Sequence, residues 1–149
     1  MDLAFDFRFH DDPALLKGTM FVEITPGPYK KLHWQPGSRF IHYDTFCLFV
    51  GVFEQRFPPY AHYGPSEIPG DTWKGIVSDL ASLQNDLTVA RDGGQPTLPV
   101  GRSGAVGLSA CFERDAVRHR AALGGLIRDF HAWLTQTLRS HDVVTVLGI

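Results

Sequence analysis

Near the start of the chain, apolar and polar residues alternate. Leu3, Phe5, Phe7 and Phe9 are interleaved with Ala4, Asp6 and Arg8, the period of two that gives a strand one buried face. His10-Asp11-Asp12-Pro13 breaks the alternation. Further strands are predicted at Thr19 to Ile24, ended by the turn Pro26-Gly27-Pro28, and near Lys31 to Trp34, ended by Pro36-Gly37. They read as hairpin-connected neighbours. The segment Phe40 to Glu54 is the strongest strand signal, rich in aromatic and β-branched residues. Its apolar centre predicts a strand covered on both faces in the middle of a sheet.

The period then changes. Arg56 to Pro65 contains three prolines and reads as an aromatic-laden loop, because proline removes the main-chain donors that a ladder or helix needs. From Asp71, a candidate N-cap, Trp73, Ile76, Val77, Leu80, Leu83 and Leu87 recur at three- and four-residue intervals and predict an amphipathic helix ending near Ala90. Residues 91 to 111 are rich in Gly and Pro, with a short strand expected around Ala105 to Cys111. A second helix is predicted from near Glu113, with Val117, Leu123, Ile127, Phe130, Leu134 and Leu138 inward and Arg114, Arg118, Arg128 and Arg139 toward water. Gly124-Gly125 inside it costs roughly 1 kcal/mol per glycine against alanine, a cost that close packing or a kink would justify. Val143 to Ile149 returns as a last strand. The pattern as a whole predicts residues 1–149 to be a single α+β domain, a mainly antiparallel sheet packed against two amphipathic helices.

Charge narrows the partners. A formal net charge of -2 lacks the basic surplus that displaces counterions from phosphates, so a dedicated nucleic-acid binder is excluded. Up to residue 90 there are eleven acidic and seven basic side chains, and after it five and seven, too small an asymmetry for a charged tail. Eighteen aromatic residues, eleven of them Phe, exclude disorder. Cys47 and Cys111 lie among apolar or small neighbours and read as buried free thiols. Met1-Asp2-Leu3-Ala4 lacks a basic start and an apolar signal core, and the longest apolar run, Phe46 to Phe53, is far shorter than a membrane span. The expected setting is the reducing cytoplasm, with no membrane contact.

No metal site is expected: His10, His33, His42 and His62 lie far apart, and neither HExxH nor CxxC occurs. His10-Asp11-Asp12 offers three ligand types but also serves as a polar turn before Pro13. Gly101 to Gly107 lacks the spacing of a P-loop, a dinucleotide fingerprint or GxSxG, and reads as a flexible turn. Ser103 or Cys47 would act as a nucleophile only with a positioned base and an oxyanion site. Trp73 and Trp133 fall on apolar helix positions and read as core. No cofactor is expected. Phe57, Tyr60, His62 and Tyr63 are different, being large rings on a segment kept out of regular structure. Tyr60, His62, Tyr63 and Glu67 are therefore the candidate partner contacts, since Tyr adds contact area at low entropic cost. The alternative is that Phe57 and Tyr60 fold back and cap the core. As contacts, Tyr60→Ala with Tyr63→Ala would weaken a complex and spare thermal stability.

The aromatic strand, Tyr63-Gly64-Pro65-Ser66-Glu67-Ile68, the helix Trp73-x-x-Ile76-x-x-x-Leu80-x-x-Leu83, Phe130-x-x-Trp133-Leu134 and the terminal Val143 to Ile149 form an ordered set. In that order the chain resembles small bacterial immunity-type proteins. The resemblance implies a cytoplasmic α+β binding protein without catalytic residues, whose partner is the toxin domain of a polymorphic or contact-dependent inhibition system. Many such proteins are distinctly acidic, and -2 departs from that, which sets a basic nuclease in doubt as the target. Two other readings stand beside it: a small hydrolase using His42, Asp44 and His62, and a homodimeric scaffold using the same aromatic surface on itself.

Overall fold

A computed structural model of the chain describes residues 5–89, 98–101 and 107–148. Its strands are β1 (Phe21–Pro26), β2 (Arg39–His42), β3 (Pro65–Pro69) and β4 (Val143–Leu147), and its helices are α1 (Tyr43–Cys47), α2 (Val50–Arg56), α3 (Gly70–Val89), α4 (Leu108–Glu113) and α5 (Ala116–Thr137). The strands form one antiparallel sheet in the order β2-β1-β4-β3. The α+β architecture and the antiparallel sheet are as the residue pattern predicts.

Strand alternation divides the sheet into two buried faces. Val22, Ile24, Ile41, Ile68, Val144 and Val146 face the helices, where α3 contributes Trp73, Ile76, Leu80, Leu83 and Leu87 and α5 contributes Leu123, Leu126, Ile127, Phe130 and Leu134. Trp73 is fully buried, and its indole N–H donates to the Val144 carbonyl at 3.1 Å, so its polar end is satisfied. Phe21, Glu23, Thr25, Phe40, Thr145 and Leu147 are buried on the opposite face, outside the cluster that packs on the helices of the described residues. Part of the cover on that face is the loop 28–38. The Glu23 carboxylate, on a residue only 4% exposed, accepts from Trp34 N (2.8 Å), Gln35 N (2.9 Å) and Ser38 Oγ (2.7 Å), and the Trp34 ring lies 5.1 Å from that of Phe40. An anion accepting three charge-assisted hydrogen bonds is satisfied in low dielectric where an unpartnered one would not be. Lys31 (φ 60°) and Trp34 (φ 62°) lie in the left-handed region, which costs an L side chain about 1–2 kcal/mol each, and the bond to Trp34 N helps to hold the second of them there. Lys31 to Trp34 is therefore not a strand.

Phe40 to Glu54 is likewise not one central strand. The extended run stops at His42, whose Nδ1 accepts from Asp44 N and caps α1, and β2 lies at the sheet's edge. Phe46, Phe49, Val50 and Phe53 follow helical spacing and are buried on α1, α2 and the turn between them, which mimics a continuous apolar strand when only composition is read. The alternation at Phe5, Phe7 and Phe9 is real but marks contact with helices: Phe5 and Phe7 meet His119, and Phe9 meets Phe130 and Trp133. In this segment the backbone pairs with the sheet through His10 and Phe40. Leu3 lies outside the described residues.

Smaller corrections follow the same physics. Asp71 sits inside the first turn of α3, which starts at Gly70, and faces Lys74 at 3.5 Å instead of capping. Residues 105 and 106 lie outside the described residues, and the rest of the expected strand there enters α4. Helix α5 starts at Ala116, and Val117 in its first turn is 82% exposed. A Cβ on Gly124 or Gly125 would meet nothing within 4 Å, so close packing does not account for the pair. Both cysteines are free, with Cys47 buried and Cys111 part-exposed. Among the described residues no helix is long and apolar enough to cross a membrane.

Candidate functional site

The aromatic loop 57–64 leaves α2 with Phe57 N donating to Phe53 O, and Tyr60 N then closes a turn onto Phe57 O. The turn aims the Tyr60 ring inward, to 5.8 Å from Phe53 and 6.5 Å from Phe46. Burial pushes its phenol up from the usual value. Phe57 also packs against the core. His62 meets Tyr60 edge-on at 5.2 Å, and its Nε2 lies 3.3 Å from Glu54 Oε2 on α2. Ala61 N donates to Ser66 Oγ (2.8 Å), and the Gly64 carbonyl accepts from Gly148 N (2.9 Å). A Cβ at 148 would collide with the His62 carbonyl, so glycine permits the chain end to press against the loop.

These ties make the four candidate contacts unequal. Tyr60 and His62 form the base, largely buried and engaged. Tyr63 is 70% exposed at the crest. Glu67 is exposed on β3 and shares a sheet row with Thr145 and Thr25. Ser66 and Ile68 direct their main chain to β4, the register fixed by Gly148 N to Gly64 O and by Gly70 N to Asp142 O. The outward positions of β3 are Pro65, Glu67 and Pro69, so the free edge offers one N–H and resists addition of another strand.

Beside the loop lies a cleft of about 550 Å³ lined by Gly51, Glu54, Gln55, Pro58, Tyr60 and Val100. Cys47 is not among its lining residues and is only 1% exposed. Burial raises its thiol, the hydroxyl of Tyr43 that donates to it opposes this, and the charges of Asp44 and Glu54 add to the rise, leaving it at about 11. A thiol held there is protonated at neutral pH and is a poor nucleophile.

His42, Asp44 and His62 are not brought into one hydrogen-bonded group. The ring of His42 bonds the main chain of Asp44 and stacks edge-on to Phe21 at 5.3 Å, while His62 pairs with Glu54. His10 turns to Asp6, at 2.8 Å, and Asp12 caps the 3-10 turn Pro13–Leu15. Burial alone would raise the Asp6 carboxyl, but the Arg8 N–H, the His10 ring and the charges of His10 and His42 outweigh it and hold Asp6 below its usual range. Among the described residues no three His, Cys, Asp or Glu side chains are placed to hold a metal ion. Ser103 and most of the glycine-rich run lie outside the described residues. The loop 28–38 and its Glu23 clamp went unflagged in the sequence; a carboxylate between Val22 and Ile24 in a predicted strand was the available signal.

Compared with known proteins, the chain matches no family model, no curated protein and no solved structure.

Proposed function

We propose that the chain is an immunity-type protein, a cytoplasmic binder without catalytic residues of its own that neutralises a cognate bacterial toxin domain by covering it. The observation that carries this reading is Tyr63, 70% exposed on a loop tied down at Tyr60, Ala61, His62 and Gly64. A large aromatic on a fixed base loses little freedom on docking, which favours affinity without added area. Glu67 supplies a charge at the rim, where it sets partner choice and on-rate more than binding strength. The proline-blunted edge directs a partner to side chains and away from main-chain pairing.

The test is genetic and biochemical. The toxin domain encoded by the adjoining reading frame is expected to arrest growth when expressed alone and to be tolerated when this chain is co-expressed. The purified pair should form a stoichiometric complex. A neighbour that is harmless, or toxic but unbound by this chain, contradicts the proposal.

A further inference from the structure

We propose that loop 28–38 is a second recognition surface, separate from the Tyr63 crest, and that it takes an acidic, partly apolar segment of a protein partner. The loop exposes Lys30, Lys31, Leu32, His33 and Trp34 together, with Leu32 64% and Trp34 45% exposed. Its conformation is imposed: Lys31 and Trp34 sit at positive φ, and a buried carboxylate is given over to the main chain of Trp34 and Gln35 and the hydroxyl of Ser38. Gln35 Nε2 donates to Leu32 O at 3.0 Å and stiffens the loop from within. Strain kept in place by a buried anion is out of proportion to a mere connection between β1 and β2.

Charge selects the occupant. Arg56, Lys74, Arg118, Arg120 and Arg128 each face a carboxylate of the chain, whereas Lys30 and Lys31 form no ion pair among the described residues. Two unpaired cations beside an exposed Trp and Leu complement carboxylates interspersed with apolar side chains, the composition of an anchored protein contact. Two cations on a chain of net charge -2 are too few to hold a polyphosphate backbone. The inference does not rest on the immunity reading.

A random dodecapeptide library panned against the protein tests it. Selected peptides are expected to combine Asp or Glu with Leu or an aromatic, and the consensus peptide should shift the Trp34 emission to the blue. Charge reversal by Lys30→Glu with Lys31→Glu should weaken that peptide by roughly tenfold or more. Trp34→Phe should abolish the shift, while Tyr63→Ala should bind the peptide as the parent does. Peptides without acidic bias, binding indifferent to charge reversal, or no selected peptide at all would overturn the proposal. So would an equal blue shift with phosphatidylserine vesicles, which would assign the surface to lipid.

Discussion

Two loops of this molecule hold an exposed aromatic ring, and they do so by different physics. Beneath Tyr63 the support is spread over several side chains: Tyr60 on Phe53 and Phe46, His62 against Glu54, and the Gly148 contact. Beneath Trp34 it converges on one group, the Glu23 carboxylate, with stacking on Phe40 as its one ring contact among the described residues. Distributed packing degrades gradually when one side chain is cut back. A hydrogen-bonded anion fails at once, because removing it leaves several buried donors unsatisfied together.

The largest expected effect breaks the second support alone. Glu23→Leu leaves the Trp34 and Gln35 N–H groups and the Ser38 hydroxyl without their acceptor, and should cost at least about 3 kcal/mol in urea melts. Trp34 emission should shift to the red as the loop lifts, with the Tyr63 loop unmoved. Tyr60→Ala cuts into the first support and should cost about 2 kcal/mol, since a largely buried ring is removed from a packed site. That outcome would divide the Tyr60 and Tyr63 pair into a core residue and a surface residue.

The contrast also explains what the residue order revealed. Helix α3 and most of α5 were legible, because a regular stripe such as Trp73, Ile76, Leu80 and Leu83 carries its own period. So was β4, a β-branched run. The loop 57–64 was legible as a loop from its prolines, but which of its rings turn inward was not, since the partners Phe46 and Phe53 sit on helices misread as strand. Loop 28–38 was illegible because its shape depends on Glu23, distant in sequence, as well as on bonds among its own residues. Local pattern reports local causes, and this one is tertiary.

Two smaller effects sharpen the account of the sheet face that carries Glu23. Thr25 Oγ1 is buried without a hydrogen-bond partner among the described residues, whereas its cross-strand neighbour Thr145 donates to Gly27 O at 2.8 Å. Thr25→Val keeps the shape and removes the orphan, so it should stabilise by about 1 kcal/mol, while Thr145→Val should destabilise by a similar amount. The smallest effect on folding belongs to Tyr63→Ala, which should stay within about 0.5 kcal/mol because the side chain is largely in water.

That last variant carries the most direct test of the central claim, that a rigid base presents Tyr63 to a protein partner. Affinity for the toxin domain of the adjoining reading frame and melting temperature should be measured side by side for the parent and Tyr63→Ala. The account predicts a complex roughly tenfold weaker or more, with the melting temperature unchanged to within about 2 °C. Equal affinity, or a melting temperature that falls along with binding, would contradict it.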